Sequence, residues 1–307
     1  MKLLRRPPSV ISVILVTLLL VTCGALAKQT WRQWQHDRLL SERLPDWRLV
    51  AGLPACQSAK QEANLNLLIL GQSNAANHGE MAASAAPGGV GVIHPDGCVL
   101  AGDPLPGGTG HGASIWSRLP DVLRAAGVPR DLSLAILAVE STSIDDWTRD
   151  SSPLKRQLSQ RLAQLSAQKW RPDLILWQQG ETDALQGTSR EDYVRGFEGL
   201  RRLLRNQGVD APILLAKSTS CDAAEGAEVR AAMDQLHALH PDLRPGPDTD
   251  TLQDQHRAGP CHLSARGLTQ AATLWAQAIK SGLKAPIPLF ASSAPLAPDT
   301  RAIPSSR

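Results

Sequence analysis

The sequence predicts an α/β protein in which a parallel sheet lies between helices on both faces. Short apolar runs of strand length alternate with longer segments of helical spacing over most of the 307 residues, a pattern typical of strands joined by crossover helices. The runs are continuously apolar, as expected of strands buried on both sides. A composition with 42% hydrophobic and 20% charged residues suits a chain that buries a large core.

Four strands are predicted, and they lie at residues 65–70, 132–139, 173–177 and 212–217. Helices are predicted at residues 117–126, 152–168, 189–207, 224–240 and 264–281, bounded by the Ser, Gly and Pro residues that begin or end helices. Residues 82–112 are rich in Gly, Pro and Ala and are predicted to form a long loop, which in a compact domain is usually functional.

The first 27 residues are typical of an export signal. Basic residues precede an apolar stretch at 10–27, which ends in the small-x-small sequence Ala25-Leu26-Ala27. The stretch is long for a signal peptide and near the lower limit for a membrane span, so cleavage and retention as an N-terminal membrane anchor are both open. Either fate predicts export of the remaining chain to the periplasm or the extracellular space.

The rest of the chain divides into three parts. Residues 28–60 are predicted to be a helical lead-in, residues 61–284 the α/β domain, and residues 285–307 a tail rich in Pro, Ala and Ser. The net charge of +3 is small, and one Tyr with two Phe offers no stacking platform for bases, so nucleic acid is not an expected partner.

Polar residues follow each of the four predicted strands. They are Gly71-Gln72-Ser73-Asn74, Glu140-Ser141-Thr142-Ser143, Gln178-Gln179-Gly180-Glu181 and Ser218-Thr219-Ser220-Cys221. Because ligands of such sheets bind beyond the carboxyl ends of the strands, four polar ends at one edge indicate a site.

Ser73 is the candidate nucleophile, and a serine needs a base to take its proton. Among eight histidines, His262 is the best candidate, because it lies just before the final predicted helix, where a loop can fold over the sheet edge. His78 and His111 lie in or beside the glycine-rich loop, and we expect His78 to be a neighbour of the site rather than the base.

Together these segments resemble the SGNH hydrolase superfamily, and in particular its sialate O-acetylesterase-like branch of carbohydrate esterases. The resemblance rests on "GQSN" after one strand, "STSIDDW" after a second, "WQQGETD" at a third and "CHLSARG" near the end, and it spans roughly residues 65–283. It implies a three-layer α/β/α sandwich of the SGNH or flavodoxin-like kind, with a parallel sheet of about five strands.

The resemblance also implies roles for individual residues. Ser73 matches the nucleophile, His262 the general base, and Gln179 an amide that stabilises the oxyanion together with the backbone N–H of Ser73. Further substrate-binding or oxyanion candidates surround them: Gly71, Gln72, Asn74, Ser141, Thr142 and Glu181. Glu181 is expected to support the site rather than to form a glycosidase pair with Asp183.

One position departs from the family pattern. An aspartate normally stands three residues before the histidine, and here that position is Gly259. Asp254 or Asp250 could reach back to orient His262, or a backbone carbonyl could do so and leave a Ser-His dyad. A degenerate protein that binds carbohydrate without turnover is the alternative raised by this gap.

Four cysteines follow the leader, and in an oxidising compartment an even number predicts two disulfides. Cys221 and Cys261 both lie near the proposed site, so we expect a Cys221–Cys261 bridge, which leaves Cys56–Cys98. Buried free thiols are the alternative. The sequence has no CxxC pair, so a zinc site is not expected, and no metal or organic cofactor is implied.

The functional hypothesis is an exported serine esterase that removes acetyl groups from an acetylated carbohydrate or polysaccharide. A polysaccharide O-acetyltransferase with the same Ser-His site is an alternative, for which a membrane tether through the N-terminal segment would be suited.

Overall fold

A computed structural model describes residues 10–45, 52–56, 64–81, 90–128, 130–222 and 226–284. The helices are α1 (Val10–Arg43), α2 (Leu119–Ala125), α3 (Ile144–Thr148), α4 (Pro153–Ala167), α5 (Glu181–Gln186), α6 (Arg190–Asn206), α7 (Ala227–Leu239) and α8 (Ala265–Lys284). The strands are β1 (Leu65–Gly71), β2 (Val90–His94), β3 (Gly97–Ala101), β4 (Leu132–Ala138), β5 (Leu174–Gln178), β6 (Ile213–Lys217), β7 (Leu243–Asp248), β8 (Arg257–Ala258) and β9 (His262–Leu263). The predicted tail at 285–307 and the basic residues before the apolar stretch lie outside these residues.

The main sheet has seven strands in the order β3-β2-β4-β1-β5-β6-β7, and only the β2–β3 pair is antiparallel. The predicted α/β sandwich is confirmed, and the strand count of about five is corrected to seven. β1 is central, paired in parallel with β4 on one side and β5 on the other. The carboxyl ends of β4, β1, β5 and β6 therefore share one edge, as the sequence predicts.

Two strands that the sequence did not predict, β2 and β3, lie in the segment 82–112, which was predicted to be a loop. Its later part contains the hairpin of β2 and β3, in which His94 pairs with Gly97 across Pro95 and Asp96. A Pro-Asp-Gly sequence between apolar runs is a hairpin signal with a physical basis, and the abundance of Gly and Ala nearby concealed it. Residues 82–89 of the predicted loop lie outside the described part.

The second addition is β7, whose sequence LRPGPD does not resemble a strand. Proline cannot donate to a ladder, but an edge strand has one side without a partner strand and tolerates it. Gly246 permits the close packing of this strand, because a Cβ there would lie 2.6 Å from the backbone N of Ala216.

Helices cover both faces of the sheet. Along β1, Leu67 and Ile69 face the core formed with α2 and α8, whereas Leu68 and Leu70 face the core formed with α3, α4, α6 and α7. Both sets are fully buried. This two-sided burial explains why the strands are continuously apolar.

The end of α1 packs on the domain. Leu40 is fully buried in the core that contains α4, and Arg149 makes two hydrogen bonds, of 2.7 and 3.1 Å, to the carboxylate of Asp37. His36 Nε2 lies 2.6 Å from Asp146 Oδ1. The apolar stretch and the first part of the lead-in thus form one continuous helix. Among the residues described, no helix is both long and apolar enough to cross a membrane.

Both predicted disulfides are present. Cys56–Cys98 fastens residues 54–56 along β3, where Cys56 N also donates to Cys98 O at 3.0 Å. This segment covers the outer edge of the sheet, which would otherwise present unpaired backbone groups. Two disulfides indicate that the chain matures in an oxidising compartment.

The docking of α1 is testable with two adjacent leucines. Leu40→Ala should lower the free energy of unfolding by about 2–4 kcal/mol, because it removes a fully buried side chain and leaves a cavity. Leu39→Ala, at a position that is 58% exposed, should change it by less than about 0.5 kcal/mol. Denaturant titration of both variants measures the difference, and equal values would show that α1 does not pack on the domain.

Candidate active site

Ser73 begins a short 3₁₀ turn, Ser73–Ala75, directly beyond the end of β1. The turn passes so close to β5 that a Cβ at Gly71 would lie 2.0 Å from Gln178 O. Only glycine fits there, so Gly71, a substrate-binding or oxyanion candidate in the sequence, shapes the turn for a steric reason. As the first residue of a 3₁₀ turn, Ser73 has a backbone N–H with no acceptor inside the turn. Its side chain retains 7% exposure at the sheet edge.

Asn74 joins three parts of the site through its side-chain amide. Nδ2 donates to Glu181 Oε1 at 2.7 Å and to the backbone oxygen of Cys261 at 2.9 Å. The residue after Ser73 is therefore bonded to the residue before His262. This contact aligns the serine turn with the histidine loop, and it gives Asn74 a positioning role.

His262 lies in the small hairpin of β8 and β9, where it pairs with Ala258. The disulfide Cys221–Cys261 ties this hairpin to the segment after β6, and Arg257 Nη1 donates to Cys261 O at 2.8 Å. The ring is half-buried. Burial and the positive charge of Arg257 lower the pKa of His262, and the negative charge of Glu140 opposes this effect. A lowered pKa keeps the imidazole neutral, as a general base requires.

Neither predicted acid reaches this imidazole. Asp254 is exposed, and no ion pair joins it to a histidine among the described residues. Asp250 instead accepts hydrogen bonds from Thr219, Ser220 and Arg230. The candidate role of Asp254 is therefore corrected: its place in an exposed 3₁₀ turn, Asp254–His256, points to a surface residue.

The predicted role of Gln179 as an oxyanion donor is also corrected. Its side chain is fully buried, and both N–H groups of Nε2 are used, by Thr142 O at 2.9 Å and by Asp183 Oδ2. Tyr193 donates to Gln179 Oε1 at 3.0 Å. An amide with every hydrogen bond made inside the protein has no donor left for an oxyanion. Gln179 instead fixes the segment after β4 against α5.

Of the two candidate substrate-binding residues after β4, Ser141 and Thr142, only one is exposed. Thr142 is fully buried, and its hydroxyl donates to Val139 O at 2.8 Å. Ser141 is exposed and has a φ of 53°. Ser141 is therefore the member of this segment that a substrate can reach, and Thr142 is structural. Gln72 is structural as well, since it is buried and its Oε1 accepts from Thr182 N at 3.3 Å.

Glu181 is buried beneath Asn74, out of reach of a substrate. Oε1 accepts from Asn74 and, at 2.8 Å, from the hydroxyl of Ser218. Oε2 is buried and has no hydrogen-bond partner among the described residues. Burial is the largest influence on this group and raises its pKa from 4.5 to about 7, although the two hydrogen bonds act in the opposite direction.

The sequence did not assign a role to the group formed by His78, Thr109 and Glu140. His78 Nε2 lies 3.2 Å from Thr109 Oγ1 and 3.5 Å from Glu140 Oε2. The rings of His78 and His262 are 5.2 Å apart between centroids and inclined by 33°. The position of Glu140 after a strand indicated that it lies near the site. Its contact with His78 could not be predicted, because it depends on the path of the long connection between β1 and β4. Among the described parts of the chain, no three His, Cys, Asp or Glu side chains are grouped so as to hold a metal ion.

The family of carbohydrate esterases described as sialic acid-specific acetylesterases matches residues 121–281, which is more than half of the chain. The chain belongs to this family. It is thus a carboxylic ester hydrolase, as the sequence predicts. The match includes His262 and Gln179, whereas Ser73 precedes it, so the family assignment rests on residues 121–281.

One solved structure has a similar fold, and two others resemble this chain less closely. A protein of Arabidopsis thaliana is 19% identical, with a TM-score of 0.59 over 71% of this chain and 98% of its own. A carbohydrate acetylesterase from Xanthomonas citri is 19% identical with a TM-score of 0.48, and the match covers 71% of this chain and 56% of that protein. A psychrotrophic esterase of Pseudoalteromonas sp. is 13% identical, with a TM-score of 0.46 over 72% of this chain and all of its own. No curated protein matches the sequence.

The buried carboxyl of this esterase makes its stability depend on pH. Because the pKa of Glu181 is higher in the folded state, the folded protein binds more protons between pH 4.5 and 7. The stabilisation is complete below pH 4.5 and is lost as the pH rises through 7. Glu181→Gln imitates the protonated form, so relative to the wild type it should gain about 2–3 kcal/mol of unfolding free energy between pH 4.5 and 8.

Denaturant unfolding at several pH values measures this difference. Glu228→Gln, at an exposed position of α7, is the matched control and should follow the wild type at every pH. Parallel pH profiles for Glu181→Gln and the wild type would show that Glu181 is ionised without cost in the folded protein.

Proposed function

We propose that the protein is an exported serine carbohydrate O-acetylesterase that acts through an acetyl-Ser73 intermediate. The observation on which this rests is the hydrogen bond from Asn74 to Cys261 O, which fastens the serine turn to the histidine hairpin at the carboxyl end of β1. Membership of the acetylesterase family supplies the class of substrate, an O-acetylated sugar.

In the first step, Ser73 Oγ attacks the acetyl carbonyl carbon while His262 accepts the hydroxyl proton. The tetrahedral intermediate collapses by breaking the bond to the sugar oxygen. The imidazolium of His262 returns its proton to that oxygen, so a sugar hydroxyl leaves and the acetyl group stays on Ser73.

In the second step, water attacks the acetyl-serine carbonyl and His262 accepts the proton of the water. Collapse of this intermediate breaks the bond to Ser73 Oγ, which regains a proton from His262, and acetate leaves. Both intermediates carry a negative oxygen near the N–H of Ser73. The exposed turn at Ser141 supplies the second N–H in this proposal, in place of the side-chain amide of Gln179.

The disulfides support export, because such bonds persist in oxidising compartments. Export is then directed by the N-terminal apolar stretch, either as a cleaved signal or as a tether that keeps the domain at a membrane surface. In both cases the enzyme would meet polysaccharides and glycoconjugates outside the cytoplasm.

The nucleophile is tested by Ser73→Ala. With p-nitrophenyl acetate, and then with an O-acetylated sialic acid or polysaccharide, this variant should lose at least ~10³-fold in kcat. Ser281→Ala, at an exposed position of α8, should retain wild-type activity. Mass spectrometry of the quenched wild-type reaction should find the acetyl group on the peptide that contains Ser73. Equal acetate release by the wild type and Ser73→Ala would overturn the mechanism.

The same assay separates the alternatives. Release of acetyl from a donor only when an acceptor sugar is added would identify a transferase. Binding of the glycan without any serine-dependent turnover would identify the carbohydrate-binding protein that Gly259 suggested.

The disulfide beside His262 gives a second prediction. Replacing both Cys221 and Cys261 by Ser should reduce kcat about 10-fold or more, because a misplacement of about 1 Å costs roughly 10²-fold in rate. Replacing Cys56 and Cys98 by Ser removes a bridge at the far edge of the sheet and should lower stability while kcat is kept. Assays at a temperature where both double variants remain folded make the comparison. Unchanged kcat in the first would show that hydrogen bonds alone hold His262.

A further inference from the structure

The general base lacks its usual carboxylate, but a carboxylate lies on another side of it. Gly259 occupies the position three residues before His262, and Asp254 and Asp250 are directed elsewhere. Glu140 follows β4, the strand next to β1, and its carboxylate lies 3.5 Å from Nε2 of His78, the ring beside His262.

Two departures from the family pattern are therefore complementary. In the family that the sequence resembles, the segment matching "STSI" begins Gly-Gly-Thr-Ser-Ile, so a glycine would stand where this chain has Glu140. The position of the usual acid is thus a glycine in this chain, and the position of that glycine is an acid.

Glu140 is held in place by the fold. Its backbone N donates to Thr109 Oγ1 at 2.9 Å, and the same hydroxyl lies 3.2 Å from His78 Nε2. Glu140 Oε2 lies 3.5 Å from that nitrogen. The ring of His78 in turn faces the ring of His262, with 5.2 Å between centroids. The carboxylate of Glu140, the ring of His78 and the ring of His262 thus lie next to one another in this order.

We propose that Glu140, acting with His78, takes the place of the missing aspartate and stabilises the imidazolium form of His262 during acyl transfer. This inference rests on the proposed function and adds a positioning residue to the site. The negative charge lowers the energy of the protonated base, and the ring of His78 fixes the plane against which His262 stands.

The charges around the two rings agree with this assignment. Burial lowers the pKa of both His262 and His78, and the negative charge of Glu140 opposes this effect at each ring. Arg257, from β8, lowers the pKa of His262, and His111 and His262 lower that of His78. Glu140 thus acts against burial, against Arg257 and against the neighbouring imidazole rings in setting these two pKa values.

The exposure of the Glu140 and His78 side chains limits how strongly Glu140 can stabilise the His262 imidazolium. The side chain of Glu140 is 36% exposed and that of His78 is 14% exposed, so water screens the interaction in part. A buried acid in direct contact with its histidine contributes about 10⁴-fold to kcat. We expect Glu140 to contribute about 10- to 100-fold, since its charge acts across His78 and at a partly exposed site.

The decisive variant is Glu140→Gln, which keeps the shape and removes the charge. Its kcat should fall about 10- to 100-fold with KM nearly unchanged, and the acidic limb of its kcat/KM profile should move to lower pH. NMR titration of the His262 ring should show a pKa lower by roughly 0.5–1 unit. Glu140→Asp keeps the charge and should retain most of the wild-type pKa, and Glu228→Gln is the control for an exposed glutamate.

An unchanged His262 pKa in Glu140→Gln would overturn the inference, as would a loss of activity in Asp254→Asn that exceeds the loss in Glu140→Gln. The titration needs no turnover. If Ser73→Ala leaves esterase activity intact, the proposed function fails, while the NMR measurement still decides whether Glu140 supports His262.

Discussion

The alignment of the site depends on the two hydrogen bonds donated by one amide, that of Asn74. Serine and histidine come from segments almost 190 positions apart, one at the end of a central strand and one on a hairpin outside the main sheet. The amide joins them by binding Cys261 O on the hairpin and Glu181 beneath the turn. Glu181 in turn binds Ser218 after β6. Three strand ends and the hairpin are thus held at one point by buried polar contacts.

Burying the ionised carboxylate of Glu181 at this point is electrostatically unfavourable, and burial therefore raises its pKa to about 7. A charged carboxylate without a partner for Oε2 is unfavourable in this interior, and protonation relieves it. A second buried network, formed by Gln179, Asp183 and Tyr193, makes the neighbouring segment rigid. Both networks are buried, and they bind the residues that follow Ser73 and Ser141, namely Asn74 and Thr142.

The sequence predicted the parallel sheet, its shared polar edge and both disulfides, because apolar runs and strand ends are local signals. It missed β7, where edge pairing makes two prolines acceptable, and the β2–β3 hairpin, whose turn was concealed among glycines. Gln179 was assigned to the oxyanion because a strand end was known but the direction of its side chain was not. Asp254 failed for a related reason: proximity along the chain does not determine which way a 3₁₀ turn faces. Glu140 required the packing of three separate segments to be known.

The contacts of α1 with the domain begin at His36, which lies 2.6 Å from Asp146. The docked part runs from His36 to Arg43, where Arg43 Nη1 donates to the backbone oxygen of Glu140. Leu18, Leu20 and Leu26, which precede it in the helix, are exposed. Removal of the chain up to Ala27 would leave every one of these contacts in place. The packing of α1 on the domain is therefore independent of the residues before Lys28, which include the cleavage site that the sequence predicts.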